Sequence, residues 1–280
     1  MNFGRRNTHK FYFKCPELTK LRKLGSLVAY PSDFKYQYGR LMIVLNTDVE
    51  DGILNTLVQF HDSAYRCFTF PDYQISPTLG EYSYYIRLPI SDQISFSGLE
   101  EIPKSHVIGE VVHLRKWEID DNLMTKGGIL ILPIKFLIEK VATLASVGSM
   151  VAFEDVLALL IYGIVLFPNV DNFIDINVIH IFLIRNPVPT LLVDTYYYIH
   201  HITEKNGGIV ICCAPLLYKW FISHFPQSNL FKDNKKFLRW SQRIMSLTNA
   251  SVTWYSRVYD DVKITDNCGE FPSVPLLGTK

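Results

Sequence analysis

No stretch of this 280-residue chain stays apolar for the length of a bilayer. The uncharged run from Val156 to Val170, inside FEDVLALLIYGIVLFPN, comes near. A span takes about 20 predominantly apolar residues, and roughly 18 at the least. Pro168 ends any helix here, since it lacks the N–H and clashes with the preceding turn. Glu154 and Asp155 are expected in the first turn, where the helix dipole favours negative charge. A helix without a polar side that is too short to span belongs inside a protein core, so no membrane partner is expected.

Cysteine is scarce: five residues, at 15, 67, 212, 213 and 268, with one adjacent pair and no CxxC. That pattern offers neither a disulfide framework nor a zinc-ribbon spacing, and it points to a reducing compartment, nucleus or cytoplasm. The N-terminal MNFGRRNTHKFYFKC has no apolar stretch of signal-peptide length, and residue 2 is Asn where a myristoylation signal needs Gly. Residues 1–16 read as a basic, solvated tail. Net charge is nearly absent at +1, so nothing pulls the whole molecule toward nucleic acid or anionic lipid.

Pro- or Gly-rich linkers are missing too, which makes residues 17–280 read as one domain. With 48% hydrophobic and 20% charged residues the chain is globular, and its 14% aromatic content implies a core of large flat side chains. Most of the periodicity is helical. Ile134, Leu137, Ile138, Val141, Leu144 and Ala145 recur at helical intervals, and further helices are expected near 174–185 and 189–203, in PLLYKWFISHF and in KFLRWSQRIMSL. In YRCFTFPDYQI the period switches to two around a Pro-Asp turn, a β-hairpin near residues 66–75. Thr78 and Glu81 then have capping-box spacing. KGGILILP at 126–133 and KNGGIVICCAP at 205–215 echo each other, with short strands expected near 129–132 and 209–212. The fold class is mainly α: a single large helical domain with these small β elements.

Catalytic signatures are also lacking. There is no GxSxG, HExxH, GxGxxG, kinase set or clustered zinc motif, and Lys126 precedes its glycines where a P-loop lysine must follow them. His106, Glu110 and His113 fall at i, i+4 and i+7 and would share a helical face able to hold a metal, although the same spacing fits the solvent side of an amphipathic helix. Adjacent His200 and His201 point about 100° apart and do not chelate together. Asp171, Asp175, Asp260 and Asp261 are scattered acids, the first two expected to cap a helix. The one defined charged surface is Lys232, Lys236, Arg239 and Arg243 at helical spacing, beside an apolar stripe of Phe237, Trp240, Ile244 and Leu247. Such a basic face suits a partner's acids or nucleic-acid phosphates.

Several stretches carry a family resemblance. FTFPDYQISPTLGEYSYYIRLPI resembles a short strand followed by a Thr-Leu-x-Glu/Asp helix; CCAPLLYKWFISHFP resembles a Leu-Leu-x-x-Trp helix closing on His-Phe; WYSRVYDDV resembles a C-terminal signature. The pattern is similar to the plant mobile domain, also called aminotransferase-like, and from about Pro16 to Lys280 to its legume-rich branch. The resemblance implies a transposon-associated, mainly helical plant domain that is not an enzyme, takes no cofactor and works as a protein-interaction module. It also implies a nuclear role in gene regulation or transposon silencing, with a phosphatase-like plant protein as partner. No lysine matches a pyridoxal-phosphate site. Relatives often continue into a coiled coil, so the chain is expected to be a truncated copy. Two alternatives remain open, nucleic-acid binding through the basic face and a metal-dependent hydrolase or nuclease.

Overall fold

The computed structural model describes residues 10–88, 96–225 and 239–254, together with the backbone of two short strands at 267–268 and 271–272. It is 57% helical, and its sheets have only two or three strands, so the mainly α class expected from the sequence is what the chain adopts. The chain passes back and forth between two compact units. One comprises residues 1–14, 48–85 and 192–280, the other residues 15–47 and 86–191. Neither is continuous in sequence, which agrees with the lack of any one linker.

In the unit of residues 15–47 and 86–191, the helix Met150–Ile161 is the centre, and each of its residues from Ala152 to Ile161 is buried. It continues as a π-turn over Tyr162–Leu166 and stops ahead of Pro168. Gly163 lets this turn approach the neighbouring strand, because a Cβ there would stand 2.5 Å from Ile174 Cγ1. The helix begins at Met150 rather than at Phe153, so Glu154 and Asp155 lie in its second turn and do not complement the dipole; both are buried. The Ile134–Ser146 helix packs against it. Strands Met124–Lys126, Ile129–Pro133 and Phe173–Asp175 form an antiparallel sheet, the first two joined by Gly127-Gly128 at φ of 58° and 83°, as a tight hairpin turn demands. Asp175 then caps the Ile176–Ile184 helix, its Oδ1 accepting from Asn177 N–H at 2.8 Å.

In the other unit the predicted hairpin is present: Cys67–Thr69 pairs antiparallel with Gln74–Ile75, and Phe70 N–H donates to the Tyr73 carbonyl across the Pro-Asp turn. His61–Asp62 adds a third strand. Phe11–Phe13, inside the stretch expected to be a solvated tail, is a strand pairing in parallel with Gly208–Val210, and its Phe11 and Phe13 are buried while Tyr12 faces out. The two glycine-rich segments do form strands, but each pairs within its own unit and not with the other. The Leu79–Ile86 and Ala214–Ser223 helices, and the Val188–Glu204 helix from Leu192 onward, supply the rest of this core.

Candidate functional site

Within the unit built from residues 1–14, 48–85 and 192–280, three distant stretches meet on one buried carboxylate. Thr78 and Glu81 open the Leu79–Ile86 helix with a true capping box. Glu81 Oε2 accepts from the Thr78 N–H at 2.9 Å and from its hydroxyl at 2.7 Å, while Glu81 N–H donates to Thr78 Oγ1 at 3.2 Å. The Trp220 indole N–H donates to the same Oε2 at 3.0 Å. His224 Nε2 stands 3.0 Å from Oε1, an ion-pair distance but off the hydrogen-bonding direction. Its Nδ1 lies 3.2 Å from the Thr253 carbonyl, which can only accept, and Thr253 N–H donates back to the His224 carbonyl at 2.7 Å. Glu81, Trp220, His224 and Thr78 are all buried. Aromatic rings close over them: Phe68 packs on Trp220 at 5.8 Å and Trp220 on His224 at 5.3 Å. The accepting capacity of Oε2 is therefore spent on the fold, since a buried acceptor that lost these donors would cost more than it gained.

The same unit holds an open cavity of about 340 Å³, lined by Phe11, Phe60, His61, Asp62, Thr203 and Asn206 among others. His61 is held here by a bond between its Nδ1 and Thr203 Oγ1 at 3.0 Å. The Thr203 hydroxyl donates back to the helix carbonyls of Ile199 and His200, so it accepts from His61, and Nδ1 carries the ring's hydrogen. Burial, and after it the charge of His200, push the imidazole's pKa down to about 4 against an opposing pull from Asp62. Asp62 Oδ1 is occupied by the N–H groups of Ala64 and Tyr65.

In the unit of residues 15–47 and 86–191, Asp155 is the polar centre. Its Oδ1 accepts from the Tyr38 hydroxyl, with Gln37 Nε2 at 3.5 Å, and its Oδ2 lies 2.7 Å from His113 Nε2. Burial, reinforced by the bond to Asp155, raises the Tyr38 pKa well above the tyrosine range, so the phenol remains a donor. Burial, then the charges of Asp155 and Asp33, raise that of Glu154. Arg185, whose own backbone is left-handed where it caps the C-terminus of the Ile176–Ile184 helix, sits over the Tyr38 ring at 6.0 Å. The arrangement ties a buried acid in one helix to the ends of three others.

The residues singled out from sequence fare differently. Lys232 and Lys236 lie outside the described residues. Arg239 is exposed, but the helix beginning at Trp240 places it at the N-cap, off the helical face. Arg243 is buried at 5% exposure, its guanidinium 3.8 Å over the Trp240 ring, so it does not continue a solvent-facing basic ridge. The expected His106, Glu110 and His113 face is not formed: the Ser105–Val112 helix ends first, and His113 turns away in the left-handed region at φ 53° toward Asp155. Among the described residues no three His, Cys, Asp or Glu gather around a point where a metal would sit. His200 and His201 diverge as expected, one against His61 and the other stacked on Tyr197. Asp260 and Asp261 lie outside the described residues. The sequence marked Glu81 as a cap but gave no sign of its long-range partners, and it gave no periodic signal for His61.

A protein-family model described as Domain of unknown function (DUF7745) matches residues 21–280. Neither the curated proteins nor the solved structures contain a match. Among the described residues no helix is long and apolar enough to cross a membrane.

Proposed function

The chain belongs to the DUF7745 family, and we propose that it works as a non-enzymatic protein-interaction module. The observation that carries this reading is the enclosure of Glu81, whose Oε2 accepts from Thr78 and Trp220 while His224 lies against Oε1. This acid is enclosed, and its contacts hold the fold. The same contacts join two of the stretches that resemble the plant mobile domain, and through Thr253 they reach the edge of the third. In this chain those stretches are core-forming, and the reading assigns function to the exterior. Large side chains stand on that exterior in both units, Tyr65 at 74% exposure in one and Tyr36 and Leu99 at 87% and 91% in the other. By the same resemblance the module acts in plant nuclear gene regulation or transposon silencing, in nucleus or cytoplasm, with a phosphatase-like protein as partner.

The test is co-purification from plant tissue with the wild-type chain and with Tyr36→Asp, Tyr65→Asp and Leu99→Asp, each first checked for unchanged melting temperature. A stoichiometric protein partner that at least one of these variants loses supports the module. Turnover of a substrate by purified protein, abolished in a folded Asp155 or Glu81 variant, overturns it.

A further inference from the structure

The cavity beside the His61–Asp62 strand, in the unit of residues 1–14, 48–85 and 192–280, carries charge of one sign. Among the described residues that line it, Asp62 is charged and there is no lysine or arginine. His61 adds no positive charge at neutral pH, since burial, and after it the charge of His200, push its pKa down to about 4. Asp62 has one oxygen committed and one spare. Its Oδ1 accepts from the N–H groups of Ala64 at 2.9 Å and Tyr65 at 3.3 Å, while Oδ2 takes no hydrogen bond or ion pair from any described residue. A carboxylate drawn partly out of water is stabilised by a cation, and these walls hold none.

The remaining polar groups suit the same sign. Gln59 donates its amide N–H to the Asn55 carbonyl at 3.5 Å, which leaves Oε1 without a partner; the Ser63 hydroxyl and the Asn206 carboxamide have none among the described residues either. None of these oxygens, nor Asp62 Oδ2, is sealed from solvent, so a ligand can reach them. All four are acceptors, and an ammonium group brings three donors and no acceptor. The Val188–Glu204 helix ends here: Thr203 in its last turn and Asn206, just beyond it at φ 59°, both line the cavity. A helix C-terminus carries partial negative charge and favours a cation. Phe60, stacked on Phe70 at 4.9 Å, lines the cavity as well, and an ammonium group near such a ring gains cation–π attraction. At about 340 Å³ the space lies at the small end of ligand sites, which limits the occupant to a short organic body.

We propose that this cavity binds a small organic amine through its primary ammonium group, with Asp62 as counter-ion and Phe60 as apolar wall. The site goes beyond the interaction reading and rests on none of its observations.

The full chain, ¹⁵N-labelled and at constant ionic strength, is titrated with butylammonium, and in parallel with butanol and butyrate as neutral and anionic counterparts of the same length. Butylammonium at millimolar concentration is expected to shift the backbone amides of residues 59–63 and 203–206 saturably, and the other two to leave them in place. Asp62→Asn keeps an oxygen for the Ala64 and Tyr65 N–H groups, and so keeps the turn; it is expected to weaken binding about tenfold or more. Asn206→Asp adds a second carboxylate at an exposed position and is expected to tighten binding about two- to fivefold. An Asp62→Asn chain whose spectrum away from the cavity is unchanged and which binds as wild type overturns the site. So do amides that butylammonium leaves unmoved, or that butanol shifts as strongly.

Discussion

Glu81 and Trp220, 139 positions apart, are joined by a 3.0 Å hydrogen bond in a fully buried setting. Trp220→Phe removes the indole N–H and leaves a small cavity where the five-membered ring packed. It is expected to cost about 2–4 kcal/mol, the lost hydrogen bond and the cavity together. Glu81→Ala strands the donors of Thr78 and Trp220 together and is expected to cost about 3 kcal/mol or more. Denaturant unfolding of both single variants and of the double variant checks this: the double should cost clearly less than the two singles added, because they share one bond.

Gly52 is where Trp240 docks. A Cβ at this helical position would stand 2.4 Å from Trp240 Cδ1 and Nε1. Gly52→Ala would normally favour a helix, yet here it is expected to destabilise by about 1–3 kcal/mol as the indole is displaced. Gly148→Asn is the contrast: its φ is 73° and nothing lies within 4 Å, so Asn is expected to cost no more than about 1 kcal/mol. Thermal melts of the two variants, with tryptophan emission recorded alongside, separate a packing requirement from a backbone one.

What the sequence made legible was local. The capping box at Thr78 and Glu81, the Asp175 cap and the hairpin over 67–75 are written in residues a few positions apart, and all three formed. The Phe11–Phe13 strand was masked by its basic surroundings, because its partner, Gly208–Val210, lies nearly 200 positions away and no periodicity over three residues reveals it. Helical spacing likewise put His106, Glu110 and His113 on one face, but it could not foresee that the helix stops at Val112. Arg243 follows the expected spacing and is buried all the same, since Trp240 provides a flat surface for its guanidinium. Long-range pairing decided each of these, and pattern alone does not carry it.

Asp194 gives stability a pH dependence. Burial raises its carboxyl pKa to about 6, so the folded state holds its proton more tightly than the unfolded chain does. The protonated form's contribution is fully present below the ordinary aspartate pKa and is lost as pH rises through about 6. Asp194→Asn is therefore expected to raise stability at pH 7.5 by up to about 3 kcal/mol, with water at the half-buried carboxyl reducing that figure. The gain over wild type should vanish below about pH 4. Melting temperatures of both proteins across pH 4–8 test it, and a pH-independent gap would place the effect elsewhere.

Arg239 and Arg243 separate the nucleic-acid alternative from the structural reading. Arg243 lies buried against Trp240, so Arg243→Ala is expected to lower stability by about 1–2 kcal/mol through the lost cation–π contact and the lost packing of its stem. Arg239 is exposed, and Arg239→Ala should stay within about 0.5 kcal/mol of wild type. If phosphates are bound at this end of the helix, the affinity for a DNA or RNA oligonucleotide falls steeply with salt, and Arg239→Ala reduces that slope by about 1. Arg243→Ala leaves the slope alone, because a guanidinium stacked in the interior releases no counterion when nucleic acid binds. A wild-type affinity that does not vary with salt removes phosphate contacts from the account altogether, and the exposed arginine is then free to meet the acids of a protein.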